Sequence, residues 1–168
     1  LHIFGFLKKK PKLSIYMQPT LANIDYSDFT TNPQDFAEYY RDAHEHLPHD
    51  RPTPRGLPVY MTAFVDASFA QNKKTRKSHT GFVIFVNRAP IVWFSKRQST
   101  VETSTFSAEF MAMKSCVSAI EALRFKLRMF GVAIEGPTHV YCDNESVVNN
   151  SSKVKSTLDK KHNSVAYH

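Results

Sequence analysis

The longest regular signal in the chain lies between Phe106 and Phe130. Phe106, Phe110, Met113, Val117, Ile120, Leu123, Leu127 and Phe130 recur at spacings of three and four, the period of one buried helical face. Ser104 or Thr105 suits the N-cap, and Gly131 sits where a C-terminal cap belongs. Ser99 and Glu102 stand at capping-box spacing and offer an earlier start. A helix of this length with strand-like runs on both sides constrains the fold strongly. It has the dimensions of the crossover that two parallel strands require, which makes the chain an α/β protein.

Upstream, VYMTAFVDAS (Val59–Ser68) is an apolar strand that presents a carboxylate, Asp66, near its end. After a polar, basic stretch, HTGFVIFVN and IVWFSKRQS read as two strands joined by a four-residue turn, NRAP. The three together form an antiparallel meander. Downstream of the helix, THVYCD is a fourth strand, and Asn144 caps a short helix, ESVVNN.

Three acids follow from this order. Asp66 and Asp143 each close a strand, and parallel neighbours would bring them together at the carboxyl edge where open α/β sheets bind ligands. Glu109 borders the apolar stripe of the helix and so needs a partner, a shifted pKa or a cation. Taken singly, Asp66 is compatible with a turn residue, Asp143 with a helix cap and Glu109 with a solvated helix edge. Taken jointly, three converging carboxylates repel unless divalent cations sit among them, the arrangement used in phosphoryl-transfer sites.

The rest of the chain frames this core. Residues 1–19 read as a short helix, LHIFGFLKK, and a strand, KLSIYMQP. Asn32-Pro33 opens a helix, PQDFAEYYRDAHEHL, and residues 47–58, with four prolines and one glycine among 12 residues, read as a stiff linker. The division expected is 1–31, 32–58 and 59–168, with an abrupt apolar start that suggests the cut edge of something longer. The tail SSKVKSTLDKKHNSVAYH is polar, basic and weakly helical.

Charge narrows the partners. The surplus of +7 comes from 22 Lys and Arg against 15 Asp and Glu. It is spread over Lys8–Lys12, Lys73–Lys77, Lys96-Arg97, Arg124–Arg128 and Lys153–Lys161, which suits an extended phosphate-tracking surface. No apolar run approaches the roughly 20 residues of a membrane span, and no secretory signal precedes the core. Cys116 and Cys142 make no disulfide framework and read as buried thiols in a reducing compartment. His44, His46 and His49 with Asp42 and Glu45 lack a zinc spacing. Trp93 and Phe94 read as core rather than a base-stacking platform, and no phosphate-cradling glycine loop is present.

The ordered motifs resemble the ribonuclease H domain of copia-type retrotransposon Pol polyproteins. They are the D-x-S strand at Asp66, Arg76 to Gly81 (R-x-S-x-TG), Trp93 to Gln98 (W-x-S-K-x-Q), Ala108 to Phe110 (AEF) and Cys142 to Asn144 (CDN). HIFGFLKKKPKLSIY resembles the segment that follows the polymerase region in those polyproteins. The resemblance implies a ribonuclease H-like mixed sheet, an antiparallel meander followed by a parallel strand, with helices on its faces and its C-terminal part missing. It implies hydrolysis of the RNA strand of RNA–DNA hybrids with two Mg²⁺ ions, Mn²⁺ being a substitute. Asp66 would bridge the two ions, and Glu109 and Asp143 would each help hold one. Ser68, Lys73, Lys74, Arg76, Lys96, Arg97, Ser107 and Asn144 would contact the hybrid or orient the acids. The family's fourth acid lies in a later motif beyond His168, and Ser164 occupies a position where many relatives carry Asp. Expected partners are the hybrid and an upstream reverse transcriptase domain, with no membrane and an intracellular, cytoplasmic setting.

A second function of a different class is a non-catalytic remnant that grips nucleic acid through its basic face. An integrase-like transferase on the same fold fits the motifs less well.

Overall fold

A computed structural model describes residues 2–21, 23 and 47–152. Of the helix expected over 33–47, all but Leu47, with His44 and His46, lies outside the described residues, as do Lys153–Lys161 and Ser164. In chain order the elements are α1 (His2–Lys9), β1 (Arg55–Val59), β2 (Met61–Ser68), β3 (His79–Val86) and β4 (Ala89–Arg97). They continue as α2 (Thr105–Met129), β5 (Val132–Ile134), β6 (His139–Cys142) and α3 (Glu145–Ser151). Among the described residues no helix is long and apolar enough to cross a membrane.

The main sheet has the order β4-β3-β2-β6. β2 pairs antiparallel with β3, β3 antiparallel with β4, and β2 parallel with β6. This is the expected meander plus one parallel strand, joined through α2. The architecture is mixed α/β, consistent with a ribonuclease H-like fold.

Alternation along β2 decides what each face does. Met61, Ala63 and Val65 are buried, while Phe64 and Asp66 are exposed. The buried set aligns with Val86, Ile84 and Phe82 of β3 and packs against Phe110, Met113, Cys116 and Ile120 of α2. Fully burying an aliphatic side chain of this kind stabilises the fold by about 1.5–3 kcal/mol each. On the other face, Tyr141, Phe64, Val83 and Trp93 form one row across all four strands, and the Phe64 and Tyr141 rings stack with centroids 4.9 Å apart.

Several expectations are corrected by this geometry. Neither Trp93, 62% exposed on the open face, nor Phe94, 38% exposed though it stacks on Phe82 at 5.0 Å, belongs to the core. The stretch KLSIYMQP forms no strand, because residues 12–19 find no pairing partner. The hairpin turn contains two residues, Asn87 and Arg88, not four, since Ala89 and Pro90 already pair with Val86 and Phe85. Pro90 is tolerated because β4 is the edge strand, and the register shift beside it absorbs Ile91.

The Pro-rich stretch is also more than a linker. Its end, Arg55–Val59, is β1, which pairs in parallel with β5. Gly131 makes this possible. At φ +70 it turns the chain out of α2, and a Cβ there would meet the Pro52 Cβ at 3.3 Å. Its carbonyl accepts from the Arg55 N–H at 2.9 Å, so the helix end and β1 are tied together.

Candidate active site at the carboxyl edge of the sheet

β2 and β6 run parallel with Val65 opposite Cys142. Asp66 and Asp143 are therefore the next residues on neighbouring strands, whose axes lie roughly 4.8 Å apart. Both are exposed. Asp66 falls within β2, and Asp143 is the first residue after β6.

Glu109 comes from the second turn of α2. Ser104 is the N-cap and its side chain accepts from the Ser107 N–H, which fixes where the helix begins. Glu102 lies before the helix, where it accepts from the Thr100 hydroxyl at 2.6 Å and is hydrogen-bonded to the Ser107 hydroxyl. From this start, at 3.6 residues per turn, Glu109 shares one line with Cys116, Ile120 and Leu127. Cys116 and Ile120 are buried core residues. Glu109 thus occupies the centre of the buried face and does not merely border it, while Val117, at the margin, is 39% exposed.

A carboxyl in that position is 8% exposed, and its Oε2 is buried with no hydrogen-bond partner. Burial, then the charges of Asp66 and Asp143, push its pKa up to about 7, against the opposing hydrogen bond donated by the Ala67 N–H. An orphaned buried carboxylate oxygen beside two further carboxylates fits a divalent cation of the hard, oxygen-preferring class. The Cys142 thiol joins the group. One ligand atom each from Glu109, Cys142 and Asp143 lie within 4.8 Å of one another. Asp66 is outside that triple, yet its charge acts on Glu109 ahead of that of Asp143.

The basic residues share this edge. β2, β4 and β6 all run the same way, so the turn after β2 and the end of β4 lie where Asp66 and Asp143 lie. Lys73, Lys74 and Arg76 are exposed in that turn, and Lys96 and Arg97 are exposed at the end of β4. The turn is ordered locally. Asn72 Oδ1 accepts from the N–H groups of Lys74 and Thr75 at 3.1 and 2.9 Å, and the buried Ser78 hydroxyl accepts from the Ala70 N–H. Lys77 donates to the Ser99 carbonyl, tying the turn to the end of β4.

The remaining residues divide by exposure. Ser68 is half-buried at the end of β2, opposite His79. Asn144 is the N-cap of α3, its side chain accepting from the Val147 N–H at 3.2 Å. Ser107 is fully buried with its hydroxyl on Glu102, so it holds the start of α2 and presents no surface to a ligand. Sequence reasoning passed over Cys142. Its adjacency to Asp143 at a strand end was the available signal, but strict alternation would have placed the two on opposite faces. Gln98 was likewise missed as a structural anchor. Its Nε2 donates to Thr80 Oγ1 and to the Ala108 carbonyl at 3.0 and 2.9 Å, bracing β4 against the first turn of α2.

No protein-family model matches the chain, and no solved structure matches it. Curated proteins do. The chain is 29% identical over 90 residues to the retrovirus-related Pol polyprotein from transposon RE1 of Arabidopsis thaliana, covering 54% of this chain. It is 28% identical over 90 residues to that from transposon RE2 of the same plant. With the polyprotein from transposon TNT 1-94 of Nicotiana tabacum the identity is 31% over 113 residues, 67% of this chain. The matches span only 6% to 8% of the length of these relatives. The homologues of this chain are therefore retrovirus-related Pol polyproteins of copia-type transposons, matched at modest identity over half to two-thirds of its length.

Proposed function

We propose that this chain carries the ribonuclease H region of a retrotransposon reverse transcriptase polyprotein, and that it hydrolyses the RNA strand of RNA–DNA hybrids with Mg²⁺ or Mn²⁺. The observation that carries this reading is Glu109, an orphaned buried carboxyl facing the paired strand positions of Asp66 and Asp143. These three acids would hold the cations. Bound divalent cations supply Lewis acidity for activating water and for stabilising charge on phosphoryl oxygens.

The other residues act around that chemistry. The Ala67 N–H fixes one side of the Glu109 carboxyl. Asn144, by capping α3, sets the chain direction immediately after Asp143. Lys73, Lys74, Arg76, Lys96 and Arg97 lie along the same sheet edge and would seat the phosphate backbone, contacts that position a duplex without reading its sequence. The apolar side chains exposed in the N-terminal segment, among them Phe4, Phe6, Leu13 and Tyr16, suit packing against an upstream reverse transcriptase domain.

The test is cleavage of a hybrid labelled on either strand. With Mg²⁺, the RNA strand should be cut and the DNA strand left whole, and Asp66→Asn should abolish cutting while the variant still binds. Binding without any turnover in the wild-type chain would support the nucleic-acid-binding remnant instead.

A further inference from the structure

Glu109 and Asp143 do not meet alone. Cys142 is the last residue of β6, opposite Val65, and packs with the core on the α2 side of the sheet, while its neighbour Tyr141 stacks on Phe64 on the open face. The pleat therefore turns its Sγ toward Glu109, and Asp143, just past the strand, completes a triple whose ligand atoms lie within 4.8 Å of one another. The second cysteine, Cys116, is fully buried and stands outside this triple.

We propose that Cys142, Glu109 and Asp143 form a mixed thiolate–carboxylate site that takes a thiophilic divalent cation, of the Zn²⁺ or Cd²⁺ class, more tightly than Mg²⁺. Three chemical facts carry this. Carboxylates suit hard cations such as Mg²⁺, and one thiolate donor shifts the preference toward softer ones. Bonds of about 2.0–2.3 Å to zinc ask for donors on the order of 3.5 Å apart, so the triple needs to contract by no more than roughly one ångström. The exposed Asp143 side chain can supply that movement, and the buried, unpartnered Oε2 of Glu109 gains a partner when it does. Three protein donors leave one position of a tetrahedral site open, and Asp66 is not one of the three. Binding releases the thiol proton and any proton on Glu109 to the buffer, with no change of oxidation state. If the nuclease reading holds, on which this consequence alone rests, such a cation occupies two of the three carboxylates and blocks Mg²⁺ there.

The experiment titrates the full chain with Cd²⁺ and follows the ultraviolet thiolate-to-metal charge-transfer band, with Mg²⁺ affinity measured calorimetrically on the same proteins. The band should form in wild type and in Cys116→Ser and be lost in Cys142→Ser. Cd²⁺ affinity should fall in Cys142→Ser and in Asp143→Asn by at least roughly tenfold, the floor expected even when a residue that only orients a ligand is removed. Mg²⁺ affinity should stay nearly unchanged in Cys142→Ser. Asp143 is exposed, so its variant keeps the test sound should the cysteine variant lose its circular dichroism spectrum. A band that persists in folded Cys142→Ser, or Cd²⁺ affinity indifferent to Asp143→Asn, overturns the site. Asp66-dependent Mg²⁺ binding without a Cd²⁺ band ends this inference and leaves the nuclease reading standing. A Cys142-dependent band without Mg²⁺ binding does the reverse.

Discussion

Glu109 holds its proton well above the ordinary carboxyl range, and this has a measurable consequence for stability. Its pKa moves from 4.5 to about 7 on folding, chiefly through burial and then through Asp66 and Asp143. Between those two values the unfolded chain has released the proton and the folded chain has not. Stability therefore falls as pH rises from 4.5 to 7, by at most about 3 kcal/mol in the absence of a cation, and then levels off. Urea unfolding of Glu109→Gln should lack this slope, leaving it more stable than wild type at pH 8 by roughly 1–3 kcal/mol. A parallel slope in both proteins would place the titration elsewhere. The position of Glu109 on the helix was legible from spacing. Its depth was not, because a stripe of large apolar residues hides the small ones, Ala108, Ala112 and Cys116, that let the helix sit close to the sheet.

Among elements, the order strand, hairpin, helix, strand was readable because each has a strong period and its own punctuation. Ser104 and Gly131 mark the two ends of α2, Ser104 as its N-cap and Gly131, at φ +70, directly after the C-cap Phe130. What escaped were elements whose stability is wholly tertiary. β5 has three residues and β1 carries a Gly and a Pro, so neither shows a period, and each forms only because the other is there. The hairpin turn escaped for a different reason, since Pro90 looks like a loop residue until β4 is known to be an edge. Asn87 carries that turn. It adopts φ +53, and its side chain accepts from the Tyr60 N–H at 3.0 Å and donates to the Pro19 carbonyl at 2.9 Å. Asn87→Ala should lower stability by about 1–2 kcal/mol, and Asn87→Gly by less, because glycine keeps the backbone conformation. Thermal melts of the two variants give the comparison, and equal losses would mean that the conformation contributes little.

Across the whole molecule, one edge of one sheet gathers the acids and the basic turn, and the aromatic row on the open face runs up to it, Phe64 and Trp93 lining one pocket with Asp66. Charge clusters scattered over the sequence carry no hint of which ones converge. The strand directions supply it, since β2, β4 and β6 all end there. Hybrid binding should accordingly weaken linearly in log salt. Replacing Lys73 and Lys74 with Ala should flatten that slope by about 0.9 for each phosphate no longer neutralised, on the scale of a B-form duplex. Replacing Lys8 and Lys9 in α1, away from that edge in sequence and outside the sheet, should leave the slope unchanged. The two pairs carry the same charge, so equal flattening would mean that net charge, not position, governs binding.

On the proposed reading, two parallel strands and one helix assemble a cation-holding acid cluster. Anomalous diffraction from crystals grown with Mn²⁺ tests it most directly. Anomalous density should contact Asp66, Glu109 and Asp143, and it should vanish in crystals of Asp66→Asn. Well-ordered carboxylates with no anomalous density between them, at saturating Mn²⁺, would contradict it.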